Sequence, residues 1–199
     1  EMASRHLAAA QHAGLGLTLL PVFYAHAGFG AQPPAEGQRR FVNSIDSYLA
    51  LIESLGPRCW ADPPRRLGRA FHSLRAATVQ EIRKILALET AAGRDAPAHI
   101  HVAEQQREVD HCRAWCGRGP VDWLADHVPL DPRWCLIHAT HATPAELARV
   151  RDAGAVAGLC PTTEANLGDG VFPAEGFLDS GGRFGVGSDS HVTVDAAEE

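Results

Sequence analysis

The chain has 199 residues, of which 45% are apolar and 21% are charged, and its net charge is −6 at neutral pH. This composition is typical of a globular domain with a hydrophobic core, and it excludes an intrinsically disordered chain. The negative charge argues against nucleic acid or an anionic membrane as the main partner. No apolar run is long enough to span a bilayer, so we predict no membrane partner.

The cysteines are scattered and odd in number: Cys59, Cys112, Cys116, Cys135 and Cys160. Their spacings match neither a redox pair nor half of a zinc ribbon. Free thiols are the simplest interpretation, and they predict a cytoplasmic protein.

Apolar periodicity and turn residues predict helices and strands that alternate along most of the chain. Thr78 and Glu81 have the spacing of a capping box at the start of one helix. The predicted helices comprise residues 1–13, 41–55, 79–91, 105–115, 121–127 and 145–152, with a short helical turn at 177–180. The predicted strands comprise residues 17–24, 67–74, 134–138, 155–160 and 183–187, together with a short strand within 98–105. Such alternation predicts an α/β fold with a parallel sheet and helices outside it.

Polar side chains follow the predicted strands, at the point where each strand ends. The carboxyl ends of parallel strands lie at one edge of a sheet, which is where α/β proteins carry their active sites. We therefore predict a functional site at this edge, although any one of these side chains could instead be structural. The residues are Tyr24, His26, His72, Arg75, His101, Glu104, His138, His141, Thr162 to Glu164, Asp189 and His191.

Residues 98–105 carry the clearest chemistry. Because side chains alternate along a strand, His99 and His101 share one face, and Glu104 lies just beyond the strand. Imidazoles and an aspartate suit Zn²⁺ or another divalent transition metal, so His101 and Asp189 are candidate ligands from two strands. Glu104 is then suited to take a proton from a metal-bound water. The structural alternative is a buried strand with one hydrogen-bonded histidine, and two ligands leave a metal's coordination incomplete.

Two further side chains fit this chemistry. His138 could polarise the group under attack, and Arg75 could pair with an anionic part of the substrate. The chain has no Gly-x-Ser-x-Gly motif, which argues against a serine hydrolase.

Five stretches read His-Ser-Leu-Arg (72–75), His-Ile-His-Val-Ala-Glu-Gln (99–105), Leu-Ile-His-Ala-Thr-His (136–141), Thr-Glu-Ala-Asn-Leu-Gly-Asp-Gly (163–170) and Gly-Ser-Asp-Ser-His (187–191). Together they resemble the amidohydrolase superfamily, and within it the formimidoylglutamate deiminases. The resemblance implies a partial TIM-type (β/α)8 barrel, roughly its strands three to eight, in a single incomplete domain of residues 1–199. We expect the family's β-sandwich part, first two barrel strands and C-terminal segment to lie outside this sequence.

By position, the resemblance assigns His101 and Asp189 as zinc ligands and Glu104 as the group that shuttles protons. It assigns His138 as the histidine beside the metal-bound water. The implied substrate contacts are Tyr24, His72 and Arg75, with Arg75 as the partner of the substrate's carboxylates. The family's His-x-His ligand pair on the first barrel strand has no counterpart, because the only His-x-His in this sequence lies on a later strand.

The implied reaction is the zinc-dependent hydrolysis of N-formimidoyl-L-glutamate to N-formyl-L-glutamate and ammonia, a step of histidine degradation. Two alternatives stay open: another amidohydrolase deaminase acting on a purine, pyrimidine or triazine, and a truncated barrel piece without activity. A small acidic substrate is the expected partner, and a homodimer is left open.

Overall fold

The computed structural model describes residues 2–60 and 64–190. Contacts divide the chain into two compact units, Glu1–His99 and Ile100–Glu199. Strands and helices alternate in both, and strand pairs in both are parallel. This confirms the predicted α/β class, while the single domain over residues 1–199 stays a prediction. Within the described ranges, no helix is both long and apolar enough to cross a membrane.

The first unit contains two pairs of parallel strands. Strand β1 pairs with β3, with Leu17 opposite Arg65, and β2 pairs with β4, with Phe23 opposite Phe71. Its elements are α1 (Met2–Ala13), β1 (Leu17–Leu19), β2 (Val22–Phe23), a 3-10 helix (Glu36–Phe41), α2 (Ile45–Trp60), β3 (Arg65–Leu67), β4 (Arg69–Ser73) and α3 (Val79–Ala91).

Two predicted strands of this unit are each divided in the structure. The predicted strand 17–24 is interrupted at Pro21, which has no N–H for a sheet ladder. Its carbonyl instead accepts from the N–H of Ala70 and from the hydroxyl of Tyr48. The predicted strand 67–74 is interrupted at Gly68, where a Cβ atom would lie 2.6 Å from the Leu20 side chain. Both interruptions occur where the chain changes its strand partner.

Helix α2 begins later than predicted. The Ser44 hydroxyl accepts from the N–H of Ser47, so the helix starts after this cap. Phe41 therefore ends the 3-10 helix, and half of its surface is exposed. The capping box of α3 is confirmed, because the Glu81 N–H donates to Thr78 Oγ1 and the Thr78 N–H donates to Glu81 Oε2.

The second unit contains the last three residues of strand β5, from Ile100 onward, and the strands β6, β7 and β8, in sequential order. In β5, Ile100 and Val102 are buried while His99 and His101 are partly exposed, which confirms the predicted alternation. The elements are β5 (Ala98–Val102), α4 (Gln106–Cys116), α5 (Pro120–His127), β6 (Trp134–His138), α6 (Pro144–Asp152), β7 (Val156–Leu159), α7 (Pro161–Leu167), α8 (Ala174–Asp179) and β8 (Arg183–Val186).

Helix α7 was not predicted. Residues 162–164 were assigned to the polar end of a strand, whereas they lie in the first turn of a short helix. Pro161 occupies the first helical position, where its missing N–H costs no hydrogen bond. The helix ends at Gly168, whose φ of +70° is the left-handed conformation that glycine adopts readily.

All five cysteines are free. Burial raises the pKa of the Cys135 thiol to about 11, and burial together with Cys116 raises the pKa of Cys112. Because the thiolate is the reactive form, we expect iodoacetamide at pH 8 to alkylate Cys135 at least about a hundredfold more slowly in the folded full-length protein than in urea. Peptide mass spectrometry over time measures this, and equal rates in both states would contradict the described burial.

Candidate metal centre and active site

The strand ends of the second unit bring four predicted residues together. His101 lies on β5, Glu104 follows β5, His138 ends β6 and Asp189 follows β8. The distance from His101 Nε2 to Asp189 Oδ1 is 3.7 Å, and that from His138 Nε2 to Glu104 Oε1 is also 3.7 Å. The rings of His101 and His138 are stacked, with centroids 5.6 Å apart. The prediction that these side chains share one edge of the sheet therefore agrees with their positions.

The donor atoms fit a zinc ion. One ring nitrogen each of His101 and His138 and a carboxylate oxygen of Asp189 lie within 4.8 Å of one another. Two ligands of tetrahedral zinc lie about 3.4 Å apart, so the 3.7 Å between His101 and Asp189 needs only a small contraction. Two imidazoles and a carboxylate are also ligand types that zinc prefers. His138 is thus a third candidate donor, which the sequence analysis considered only for catalysis.

The electrostatics of Asp189 suit a metal ligand. Its interaction with His101 lowers the pKa of the carboxyl group, partial burial opposes this, and the nearby His138 lowers the pKa further. The carboxylate is therefore ionised at neutral pH and available to a cation.

Glu104 and His138 each contact a further buried carboxylate. The N–H of Glu104 donates to Glu108 Oε2 at 3.2 Å, which fixes the first residues after β5. Nδ1 of His138 lies 3.1 Å from Glu164 Oε1, and the N–H of Cys160 donates to the same oxygen at 3.0 Å. His138 and Glu164 are 1% and 5% exposed.

The backbone around these side chains is strained. Five non-glycine residues among those described have positive φ angles, and four of them lie at this sheet edge: Ala103, His138, Ala139 and Asp189. Each such conformation costs on the order of 1 kcal/mol and persists only where other contacts enforce it. Here the N–H of Ala139 donates to the Val102 carbonyl, and the N–H of His141 donates to the Ala103 carbonyl. These bonds hold the ends of β5 and β6 side by side. Strained backbone of this kind is common at functional sites.

The three predicted substrate contacts lie in the first unit. The rings of Tyr24 and His72 meet edge to face with centroids 4.9 Å apart, and the Gln38 amide donates to the Tyr24 hydroxyl. Arg75 follows β4, and its Nε–H is buried without a hydrogen-bond partner among the described residues. A buried guanidinium N–H without an acceptor is costly in the protein alone and suits an anionic ligand.

The sequence model of the amidohydrolase family matches residues 9–199. This chain belongs to the amidohydrolase family. The structure and the family together support a partial amidohydrolase barrel, in agreement with the sequence analysis.

The amidohydrolase chain is 57% identical over all 199 residues to the formimidoylglutamate deiminase of Pseudomonas aeruginosa, and covers 43% of that protein. It is also 33% identical to the 8-oxoguanine deaminase of the same organism over 109 residues. This match comprises 55% of this chain and 24% of that deaminase. The chain thus spans less than half of the curated relatives it matches.

Among solved structures, the amidohydrolase of Brucella melitensis matches the whole chain with a TM-score of 0.93 and 52% identity, over 43% of its own length. An adenosine deaminase of Xanthomonas campestris with bound zinc matches 94% of this chain, with a TM-score of 0.78 and 20% identity. The match covers 39% of the length of that deaminase. The second likeness concerns the fold alone.

Other strand-end histidines of the amidohydrolase chain have structural partners. His26 Nε2 lies 3.0 Å from Glu81 Oε1, the side chain that also caps α3. His141 Nε2 lies 2.6 Å from the Asp169 carbonyl. His191 lies outside the described residues. Glu164 is the contact of His138 for which the sequence indicated no separate role, and the available signal was its position in 163–170, one of the five stretches that carry the resemblance.

Proposed function

We propose that the full-length protein carrying this chain is a zinc-dependent deiminase. It hydrolyses N-formimidoyl-L-glutamate, a linear amidine, to N-formyl-L-glutamate and ammonia in histidine degradation. The single observation that carries the proposal is the 57% identity over the whole chain to a formimidoylglutamate deiminase. The chain spans 43% of that relative, so the proposal concerns the full-length protein.

The proposed site combines a metal with one proton-transferring carboxylate. His101 and Asp189 would hold the metal, which when bound supplies a Lewis acid and acidifies water, and His138 would polarise the group under attack or add a third donor. Glu104 would accept a proton as the water oxygen bonds to the formimidoyl carbon and would return it to the nitrogen that leaves as ammonia. As the C–N bond breaks and the C=O bond forms, the remaining hydroxyl proton would pass to Glu104. Its distance of 3.7 Å from His138 Nε2 supports this role, because it places the carboxylate beside the candidate metal donors.

In this proposal Arg75 binds the acidic part of the substrate, and Tyr24 and His72 are further substrate contacts. The buried Nε–H of Arg75 lacks an acceptor among the described residues, and a substrate carboxylate supplies one. A neutral heterocycle bound by another deaminase of the family would offer only uncharged acceptors, which pair less strongly with a guanidinium than a carboxylate does. The acidic substrate is therefore favoured over a purine, pyrimidine or triazine.

Replacing Arg75 with alanine in the full-length protein is expected to raise KM for N-formimidoyl-L-glutamate about tenfold to a hundredfold, with a smaller change in kcat. A hydrogen bond to a charged group contributes about 1.5–3 kcal/mol, which corresponds to this range. Steady-state ammonia release measures both constants. Arg83→Ala, on the exposed surface of α3, is the matched control and should leave KM unchanged. An unchanged KM in the Arg75 variant would contradict the assigned contact.

A substrate comparison tests the proposed reaction. The zinc-loaded full-length protein is incubated separately with N-formimidoyl-L-glutamate, 8-oxoguanine and adenosine, and ammonia is measured. The proposal predicts a kcat/KM for the amidine that exceeds the others by orders of magnitude. Preferential deamination of a heterocycle, or no ammonia from any of the three, would overturn it.

We also propose a cytoplasmic location and a small acidic substrate as the main partner. The free thiols support the first, since Cys112 Sγ and Cys116 Sγ lie 3.8 Å apart without a disulfide. The net charge of −6 supports the absence of a nucleic-acid or anionic membrane partner.

A further inference from the structure

His138 lies between two carboxylates that contact different nitrogens of its ring. Glu104 Oε1 lies 3.7 Å from Nε2, on the side of the candidate metal ligands. Glu164 Oε1 lies 3.1 Å from Nδ1, and both side chains of this second pair are almost fully buried. The catalytic scheme above uses only the Nε2 side, so the Glu164 contact needs its own explanation.

Glu164 is held firmly in place. It lies in the first turn of α7, and its Oε1 accepts a hydrogen bond from the N–H of Cys160, the residue before that helix. The neighbouring Thr163 hydroxyl donates to the carbonyl of Ser188 at 2.9 Å, directly before Asp189. The short helix thus joins the ends of β7 and β8 and directs Glu164 towards the end of β6.

The hydrogen-bond roles follow from the chemistry of the groups. Oε1 of Glu164 already accepts a hydrogen bond from the N–H of Cys160, and this acceptor oxygen pairs best with an N–H at Nδ1 of His138. With its proton on Nδ1, the ring of His138 keeps the lone pair of Nε2 on the side of the candidate metal donors. The opposite tautomer would direct an N–H at Nε2 towards the candidate metal position. It would also leave the lone pair of Nδ1 facing a lone pair of Glu164 Oε1.

We propose that Glu164 is a positioning residue that fixes His138 as its Nδ1–H tautomer and orients the ring for metal binding or proton exchange at Nε2. This inference rests on the proposed deiminase function for its catalytic consequence, but the tautomer itself does not depend on it. Carboxylates that accept the second N–H of a functional histidine raise its basicity and typically contribute tenfold to a hundredfold in affinity or activity.

A separate metal site is a weaker interpretation of the same residues. Donor atoms of His138, Cys160 and Glu164 also lie within 4.8 Å of one another. Nδ1 of His138 already lies within hydrogen-bond distance of Glu164 Oε1, however, and a metal bound between these two atoms would have to displace this contact. The buried pair is therefore complete without an ion.

Two variants separate the charge of Glu164 from its role as an acceptor. In Glu164→Gln the amide oxygen still accepts from Nδ1 and from Cys160, so the tautomer is retained while the charge is lost. In Glu164→Met the acceptor is lost in a side chain of similar length. Glu146→Gln is the matched control, because Glu146 is equally buried but caps α6 through Thr143 and does not contact His138.

Histidine-selective ¹⁵N NMR of the full-length protein, zinc-loaded and metal-free, measures which ring nitrogen of His138 is protonated. We expect Nδ1–H in the wild type, in Glu164→Gln and in Glu146→Gln, and a mixture of tautomers in Glu164→Met. We further expect kcat to fall about tenfold to a hundredfold in Glu164→Met and less in Glu164→Gln, with KM nearly unchanged in both.

A wild-type His138 protonated at Nε2 would overturn the inference even if no variant folds. Retention of Nδ1–H and of wild-type kcat in Glu164→Met would overturn it as well. Failure of the deiminase function is distinguishable, because the wild type would then release no ammonia while the tautomer still responded to Glu164→Met.

Discussion

Replacing Glu104 with glutamine in the full-length protein is expected to lower kcat by about a thousandfold or more while zinc remains bound. Glutamine has the same shape but cannot accept and return a proton, and general acid–base catalysis contributes about 10²–10⁴-fold. Zinc should stay bound because Glu104 is not among the three side chains that form the donor set. Ammonia release under saturating substrate measures kcat, and atomic absorption of the same sample measures zinc.

The control for this variant is Glu175→Gln, which removes an exposed carboxylate from α8 in the same unit. It should have wild-type kcat and wild-type zinc content. A Glu104→Gln protein with near wild-type kcat would contradict the role of Glu104 as the proton carrier, whereas loss of zinc would assign it to the metal instead.

Replacing Asp189 with alanine is expected to lower zinc affinity by more than about a hundredfold and to abolish turnover. Loss of a partner that only orients a ligand typically costs 10–100-fold, so loss of a ligand should cost more. The Asp189 carboxyl is also the group whose pKa is lowered by His101, which keeps its charge available to a cation. Competition with a chromogenic chelator measures the affinity.

Asp179→Ala is the matched control, because Asp179 is exposed at the end of α8 and lies outside the donor set. Its zinc affinity should equal that of the wild type. Stoichiometric zinc of unchanged affinity in Asp189→Ala would mean that the metal is held by other residues.

The α/β class and the shared edge of the second unit were predictable because both follow from short-range patterns. Alternation places His101 opposite the buried Ile100 and Val102, and parallel strands end on the same side. His138 and Asp189 therefore reach the same edge as His101, whatever the details of the loops between them.

Other features depend on packing that a linear pattern does not contain. Pro21 and Gly68 divide the predicted strands because the chain changes partners there, which is a tertiary event. Helix α7 has only 7 residues, too few for a clear period, and was assigned to a strand end.

The partner of His138 was hidden for the same reason. Glu164 is 26 positions away in sequence, and only the short helix brings it within 3.1 Å of the ring. The unsatisfied Nε–H of Arg75 is likewise visible only in the structure, although the residue type had already suggested an anionic substrate.

The most direct test is a zinc titration of the metal-stripped full-length protein, with ammonia release from N-formimidoyl-L-glutamate as the measured quantity. We expect no turnover without metal, and activity that rises in proportion to added zinc until the metal site is saturated. Full activity in the stripped protein, or stoichiometric zinc binding without any ammonia release, would contradict a zinc-dependent deiminase.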